Sequence, residues 1–228
     1  MRVLAISDIH GEVDRLAALS ALFGEADLIL IAGDLTDFGG REELEGILDL
    51  LGPARAAGKL AVVPGNCDRR AAREFLEEEG ISADGHLLDK GGALIAGSGG
   101  GLLHSGLTPY ERRDEDLGAS LAAVIASQPR TGDHGRPLIV LSHTPPHGTG
   151  ADRRRGSSLG SRQLRKVLDS ETPPLWVCGH IHESRSAALS GPTLVVNPGP
   201  LRDGCYALIE LERKGQGTWA AKAELPAC

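Results

Sequence analysis

The chain has few aromatic residues and no excess of basic charge, and both shortages exclude classes of protein. Aromatic side chains make up 3% of its 228 residues, which argues against the stacking platform of a single-stranded nucleic-acid binder. The formal net charge is −7 with both signs interspersed, so we expect no general nucleic-acid-binding surface. A small phosphorylated substrate remains compatible with this charge, because bound cations would reverse the local field.

Long hydrophobic runs and paired cysteines are also missing. No apolar run approaches the ~20 residues that a membrane-spanning helix requires. The chain opens on a strand-like run, so we expect no secretory leader. Its four cysteines stand singly and lack zinc-finger spacing: Cys67, Cys178, Cys205 and Cys228. We therefore expect reduced thiols, with Cys178 as a small buried hydrophobe, in a cytoplasmic protein without a membrane partner.

Low-complexity linkers and fixed-period repeats are absent as well, so we expect a single domain over residues 1–228. Strand-like and helix-like runs alternate at the start, which is typical of a parallel sheet, and short runs split by Gly-Pro turns near the end indicate antiparallel strands. The predicted fold is a four-layer α/β/β/α sandwich of two mixed sheets with helices on both outer faces. We expect helices at 12–23, 41–51 and 110–127 and a surface loop at 128–135.

Potential metal ligands follow five of the strand-like runs. They are two aspartates, one asparagine and four histidines, namely Asp8, His10, Asp34, Asn66, His143, His180 and His182. Ligands delivered from the carboxyl ends of several strands converge on one crevice in open α/β sheets. Imidazole with carboxylate and amide oxygen suits manganese, iron, cobalt, nickel or zinc better than calcium. A set this large exceeds the needs of one ion, so we predict two divalent transition-metal ions, with manganese favoured.

Asp34 stands centrally in the order of these ligands, and we predict that its carboxylate bridges the two ions. Two ions about 3.5–4 Å apart can hold a shared hydroxide and stabilise an in-line displacement at phosphorus. A surface turn would be the better explanation of an isolated Asp8–His10 pair, but a surface turn does not explain the whole set. The pattern therefore predicts a hydrolytic site.

The five ordered motifs D-x-H, G-D, G-N-x-D, H and G-H-x-H resemble those of the calcineurin-like metallophosphoesterases. Residues 195–199 also resemble the strand and turn that follow the site in the small single-domain bacterial and archaeal phosphodiesterases of that superfamily. The resemblance implies one ion held by Asp8, His10, Asp34 and His182. It implies a second ion held by Asp34, Asn66, His143 and His180.

Cys67 departs from the family pattern, because many members have a histidine there that is thought to protonate the leaving group. A thiol, with an ordinary pKa of about 8.5, is a poor general acid. We expect Cys67 and Asn66 to contact the substrate, together with Arg69, for which a solvated surface position is an equal alternative. His104 or His147 is then the candidate proton donor, and His147 follows two prolines directly after His143.

Two neighbouring features have structural explanations. Asp68 is expected to order the loop that carries Asn66. The glycine-rich segment 97–101 resembles a phosphate-binding loop, but no Gly-Lys-Ser/Thr sequence follows it. We therefore expect segment 97–101 to form a turn at the rim of the site.

The leading hypothesis is a dinuclear metal-dependent phosphoesterase that hydrolyses a small phosphodiester through a metal-bridging hydroxide. Its predicted catalytic residues are Asp34, Asn66, His143 and His147. A phosphomonoesterase acting on a nucleotide or sugar phosphate is the alternative within enzymes. A binding module that keeps this fold without catalysis is the alternative outside them. The oligomeric state is left open by the sequence.

Overall fold

The computed structural model describes residues 1–104, 106–127, 135–215 and 217–228, so residues 128–134 of the predicted surface loop lie outside the described residues. The strands, in chain order, are β1 (Arg2–Ile6), β2 (Leu28–Ala32), β3 (Leu60–Val63), β4 (Leu87–Lys90), β5 (Ala93–Ser98), β6 (Gly101–Leu102), β7 (Glu111–Arg112), β8 (Leu138–Ser142), β9 (Arg153–Arg154), β10 (Ser157–Ser158), β11 (Leu175–Val177), β12 (Ser186–Ser190), β13 (Thr193–Asn197), β14 (Ala207–Arg213) and β15 (Trp219–Glu224). The helices are α1 (Val13–Ala17), α2 (Ser20–Glu25), α3 (Arg41–Leu50), α4 (Gly52–Ala56), α5 (Arg70–Glu78), α6 (Asp114–Ala126) and α7 (Arg162–Glu171).

Two large mixed sheets form the centre of the molecule. The first has the strand order β15-β14-β1-β2-β3, in which β1, β2 and β3 run parallel and β14 is antiparallel to β1 and β15. The second has the order β12-β13-β11-β8-β5-β4, with parallel strands inside and antiparallel pairs at both edges. The parallel beginning and the antiparallel tail agree with the sequence prediction.

The core is layered because the central strands are buried on both faces. In β1, Val3 and Ala5 pack against the second sheet, while Leu4 and Ile6 face the cluster that α1 to α5 cover. A separate apolar cluster lies between the second sheet and helices α6 and α7. This alternation follows from the two-residue period of a strand, and it confirms the predicted four-layer sandwich.

Two local predictions need correction, and one strand was missed. The helix expected at 12–23 is split into α1 and α2, because the Leu19 amide bonds to the Leu16 carbonyl (3.0 Å) and tightens the turn between them. The helix expected at 110–127 begins only at Asp114, since Glu111 and Arg112 form β7 beside β6. Strand β4 was not predicted, because its sequence Leu-Leu-Asp-Lys lacks apolar alternation.

The expectation of four reduced cysteines is wrong, because Cys205 and Cys228 form a disulfide. Antiparallel pairing of β14 with β15 brings the last residue back beside the start of β14, so Cα atoms 23 residues apart in sequence lie 4.4 Å apart. Cysteine spacing alone does not reveal such a contact. Cys67 and Cys178 are free and buried, as expected for Cys178. Among the described residues, none of the helices is long and apolar enough to cross a bilayer.

Candidate metal centre

The candidate ligands lie where strands of both sheets end. Asp8 and His10 follow β1, Asp34 follows β2, and the loops after these two strands are bonded to each other. The Asp8 amide donates to the Gly33 carbonyl (3.0 Å), and the His10 amide donates to the Asp34 carbonyl (2.9 Å). In the second sheet, the Gly179 amide donates to the His143 carbonyl (3.0 Å). The two sheets thus present their candidate ligands at one common edge.

Four candidate ligands have a left-handed backbone, which is uncommon for residues other than glycine. The φ angles are 53° at Asp8, 49° at His10, 48° at Asp34 and 69° at His180. Such conformations persist only where the surrounding structure enforces them, and they concentrate at functional sites. The local backbone therefore turns these side chains into the crevice at the expense of strain.

Glycines beside the ligands are required by close approach. A Cβ atom on Gly33, whose φ is +88°, would lie 2.4 Å from His143 Nδ1. A Cβ atom on Gly179 would lie 1.7 Å from Ser7 Oγ and 2.8 Å from Asp8 Oδ2. These distances explain in physical terms why glycine precedes the ligand residue in the G-D and G-H-x-H motifs.

Three overlapping groups of side chains could each hold a metal ion. Within each group, the potential ligand atoms all lie within 4.8 Å of one another. The groups are Asp8 with His10 and His182, Asp8 with Asp34 and His143, and His10 with Asp34 and Cys67. The first group falls within the ligand set implied for the first ion. His180 belongs to none of these groups in the described part of the chain, although its ring lies 4.9 Å from that of His143.

Unsatisfied acceptors show that this centre fits a cation. His143 Nδ1 lies 2.8 Å from the Ala32 carbonyl, which can only accept, so in the neutral ring Nε2 carries a lone pair. That lone pair faces Asn66 Oδ1 at 2.9 Å and Asp34 Oδ2 at 3.5 Å. Both ring nitrogens of His10 are buried without a hydrogen-bond partner among the described residues. A bound cation would give these converging atoms their missing partner.

The electrostatics favour the protonation states that metal binding requires. Burial, reinforced by the charge of His143, lowers the pKa of His180 to about 4, and burial also lowers the pKa of His10. Burial alone would raise the pKa of Asp8, but hydrogen bonds from His182 and Ser7 bring that pKa below its ordinary range. At neutral pH the site therefore offers neutral imidazoles and an ionised carboxylate. His182 differs, because its hydrogen bond to Asp8 raises its pKa.

Asp68 orders the loop after β3, as predicted. Its buried carboxylate accepts hydrogen bonds from the amides of Leu35 (3.3 Å), Thr36 (2.9 Å) and Gly65 (2.7 Å). These bonds tie the Asn66 loop to the loop that carries Asp34. Asp68 is therefore part of the framework of the site.

Cys67 lies inside the centre, as its place in the third ligand group shows. Its amide donates to Asp34 Oδ1 (2.8 Å), and the Asn66 side-chain amide contacts its sulfur (3.4 Å). Burial and the nearby Asp34 carboxylate raise the pKa of the thiol. Such a thiol holds its proton and is a poor general acid.

The structure does not bring the other predicted substrate-binding residues into the ligand groups. His147 is half-buried, its amide donates to the Ser161 carbonyl (2.9 Å), and its ring forms no hydrogen bond or ion pair with a described residue. His104 and Arg69 are both exposed. Their roles therefore stay predictions.

The expected turn at 97–101 is limited to Gly99 and Gly100, because Gly97 and Ser98 end β5 and Gly101 begins β6, and the amides of Gly99, Gly100 and Gly101 are already bonded. Gly99 donates to Asp84 Oδ1 (2.8 Å), Gly100 to the Pro64 carbonyl (2.9 Å) and Gly101 to the Tyr110 carbonyl (3.0 Å). An open phosphate-binding loop would leave such amides free.

Sequence reasoning missed two residues beside the ligands. Ser7 Oγ donates to Asp8 Oδ2 (2.5 Å). Arg202 lies on a turn after β13, and its backbone amide donates to the Asp8 carbonyl (3.3 Å). The position of Ser7 next to Asp8 was an available signal. The segment 195–199, which resembles the strand and turn that follow the site in the family, ends just before Arg202 and was the nearest available signal.

A separate cavity lies away from the candidate ligands. A groove of about 480 Å³ is lined by residues of α2, β14 and β15, among them Leu22, Leu208 and Ala223. It contains none of the candidate ligands. The ligand chemistry, and not cavity size, therefore locates the site.

A family model described as calcineurin-like phosphoesterase matches residues 1–184, which include all seven candidate ligands. The uncharacterized protein MJ1162 of Methanocaldococcus jannaschii is 30% identical over 206 residues, covering 88% of this chain and 88% of that protein. The match to the family model extends from the D-x-H motif to the G-H-x-H motif.

Solved structures share the fold across their whole length. The protein TT1561 of Thermus thermophilus superimposes with a TM-score of 0.67 at 20% identity, covering 97% of both chains. A dimetal phosphatase from Danio rerio superimposes with a TM-score of 0.62 at 14% identity, covering 98% of both chains. At these identities the similarity is one of fold.

Proposed function

Because this chain belongs to the calcineurin-like phosphoesterase family, we propose that it hydrolyses a small phosphodiester at a centre of two divalent metal ions. The family supports the coarser statement, a metal-dependent phosphoester hydrolase. One observation carries the proposal of two ions: buried carboxylate, amide and imidazole acceptors meet around Asp34 without enough hydrogen donors to satisfy them. The Danio rerio neighbour, described as a dimetal phosphatase, supports the capacity of this fold for two metals.

The ligand side chains divide into two sets that share Asp34. In our proposal, Asp8, His10 and His182 hold one ion, and Asn66, His143 and His180 hold the other. Bound divalent ions would supply Lewis acidity, which lowers the pKa of water and stabilises negative charge on phosphoryl oxygens. Manganese is the proposed metal, since the donor set lacks the several thiolates that favour zinc in structural sites.

The residues behind the ligands hold them in position. The Ala32 carbonyl fixes the His143 ring, and Ser7 together with the His180 amide (3.1 Å) fixes the Asp8 carboxylate. Such partners orient ligands and are nearly as important to a metal site as the ligands themselves. Preorganisation of this kind supports a catalytic role for the site.

The preference for diesters is motivated by Cys67. A histidine at this position could protonate the leaving group, whereas the buried Cys67 thiol retains its proton. We propose that His147 supplies the proton instead, and that Asn66 and Arg69 contact the substrate phosphate. These three roles rest on the sequence pattern.

A comparison of two nitrophenyl substrates tests the proposal. Apo-protein is loaded with manganese, iron, cobalt, nickel or zinc, and kcat/KM is measured on bis-p-nitrophenyl phosphate and p-nitrophenyl phosphate. We expect a higher kcat/KM for the diester. A clear preference for the monoester would favour a phosphomonoesterase, and metal binding without turnover of either ester would favour a binding module.

A further inference from the structure

The turn after β13 lies directly against the candidate metal centre. Its 3-10 turn, Leu201–Asp203, follows the segment Pro198–Gly199–Pro200. The Leu201 amide donates to the Ser7 carbonyl (2.8 Å), and the Arg202 amide donates to the Asp8 carbonyl (3.3 Å). Arg202 therefore begins from a backbone position that is fixed next to a proposed metal ligand.

The turn is braced from both sides. The Gly204 amide closes it by donating to the Leu201 carbonyl (2.7 Å), and Cys205 is bonded to Cys228. Before the turn, Asn197 Oδ1 accepts from the Gly199 amide (2.9 Å). A side chain on such a turn has a defined origin, which lowers the entropy lost when it binds a ligand.

The Arg202 side chain is exposed and forms no hydrogen bond or ion pair with any residue that the structure describes. Some arginines have carboxylate partners, for example Arg154 with Glu183 (2.9 Å) and Arg112 with Asp84 (3.3 Å), whereas Arg202, like the exposed Arg69, has none among the described residues. The backbone position of Arg202, whose amide donates to the Asp8 carbonyl (3.3 Å), places the start of this charged side chain beside a proposed metal ligand.

A cation at this position is unfavourable for metal binding, because like charges repel. Arg202 forms no ion pair with a described carboxylate, so its guanidinium group is free to bind an anionic substrate held at the metal centre. A guanidinium group presents several N–H donors in a planar fork that matches the oxygens of a phosphate.

We propose that Arg202 is a substrate-binding residue, whose guanidinium group donates hydrogen bonds to a phosphate group of the substrate at the metal centre. This inference rests on the proposed function. The phosphate bound by Arg202 is either the reacting group or a second phosphate of the same substrate. These two phosphates have the same chemistry, and the substrates used in the test distinguish them.

The test compares wild-type protein with Arg202→Ala, Arg202→Lys and Arg55→Ala. Arg55→Ala removes the same charge from a half-buried pair that joins α4 to Glu79, directly after α5, away from the candidate ligands. The manganese-loaded proteins are assayed with bis-p-nitrophenyl phosphate, with inorganic phosphate as competitor, and with a dinucleotide that either carries or lacks a terminal 5′-phosphate. Manganese affinity of the apo-proteins is measured by calorimetry.

We expect Arg202→Ala to raise KM or the phosphate inhibition constant about tenfold, as for loss of a charge-assisted hydrogen bond. The kcat should stay within about twofold, because the interaction binds substrate and transition state alike. Arg202→Lys should be intermediate, and Arg55→Ala should match wild type. Manganese affinity of Arg202→Ala should be equal or higher, since a repulsive charge is removed.

The set of probes that bind Arg202→Ala more weakly identifies the phosphate that Arg202 contacts. Weaker binding of all probes indicates the reacting phosphate, whereas a loss confined to the dinucleotide with the terminal phosphate indicates a second one. Unchanged binding of every probe would overturn the inference, and so would a parallel fall in manganese affinity, which indicates a structural role. Wild-type protein that binds phosphate through Arg202 but hydrolyses no ester would refute the proposed function while leaving the inference standing.

Discussion

Asp34 and Asp68 are both buried carboxylates within hydrogen-bond reach of the same loop, yet they have different kinds of partner. Asp68 accepts from three backbone amides and from the Thr36 hydroxyl (2.9 Å). Asp34 accepts from the Cys67 amide, and its other oxygen faces the rings of His143 (3.5 Å) and His10 (3.8 Å). The two carboxylates therefore differ in their partners and not in their burial. This difference separates the framework of the site from its candidate metal centre.

Two buried asparagines repeat the contrast. Asn197 donates to the carbonyls of Ala151 (3.2 Å) and Ile181 (3.0 Å) and accepts from Gly199, so its amide group is satisfied by the backbone. Asn66 Oδ1 instead faces the His143 ring. Residues whose polar atoms are satisfied by the backbone, such as Asp68 and Asn197, form a framework group, and we expect them to determine stability. Residues whose polar atoms face other candidate ligands, such as Asp34 and Asn66, form a reactive group, and we expect them to determine metal binding and turnover.

Asp34→Asn should have the largest effect and would show the contrast most clearly. Asparagine keeps the size of the side chain but removes the charge shared by the two proposed ions. We expect kcat to fall about 1000-fold or more while the melting temperature of the metal-free protein stays near that of wild type. The exposed Asp49→Asn serves as the matched control. Retention of most of the activity by Asp34→Asn would show that Asp34 belongs to neither ion.

Asp68→Ala should act on stability, because it leaves the buried amides of Leu35, Thr36 and Gly65 without their acceptor. We expect the free energy of unfolding of the metal-free protein to fall by about 2–3 kcal/mol in urea. The same measurement on Asp34→Asn should show a smaller change. Equal destabilisation by both variants would remove the distinction between framework and centre.

His147→Ala tests whether the reactive group extends to the rim of the site. Its backbone belongs to the framework through Ser161, but its ring has no described partner. If the ring protonates the leaving group, the variant should lose about 100-fold in kcat on an alkyl phosphodiester and far less on a nitrophenyl diester. Metal content should be unchanged. Equal losses on both esters would exclude His147 as the acid.

The smallest effect concerns pH. Burial, the charge of Asp34 and three weaker opposing hydrogen bonds give Asp68 a pKa of about 6 in the folded protein. That pKa lies above the unfolded value of about 3.9, so the contribution of protonated Asp68 to stability is complete below the unfolded pKa. It is lost as pH rises through about 6. The stability difference between metal-free wild type and Asp68→Ala should therefore shrink from pH 4 to pH 7, and a constant difference would contradict the assignment.

The sequence predicts the reactive group better than its surroundings. Asp8, Asp34 and His143 were identifiable because each lies within two residues of the end of a largely apolar strand, and parallel strands bring such positions to one edge. The Cys205–Cys228 disulfide depends on a contact between distant segments, which leaves no periodic or motif signal. The break between α1 and α2 likewise lies at the backbone hydrogen bond from Leu19 to Leu16, and no proline or glycine marks it in the sequence.

The central claim is that acceptors around Asp34 hold two ions, and metal stoichiometry tests it most directly. Apo-protein is loaded with excess manganese, freed of unbound metal and measured by elemental analysis against protein concentration, beside Asp34→Asn. Our account predicts two ions per wild-type chain and one or none in the variant. A wild-type chain that retains one ion or none, or an Asp34→Asn chain that retains both, would contradict it.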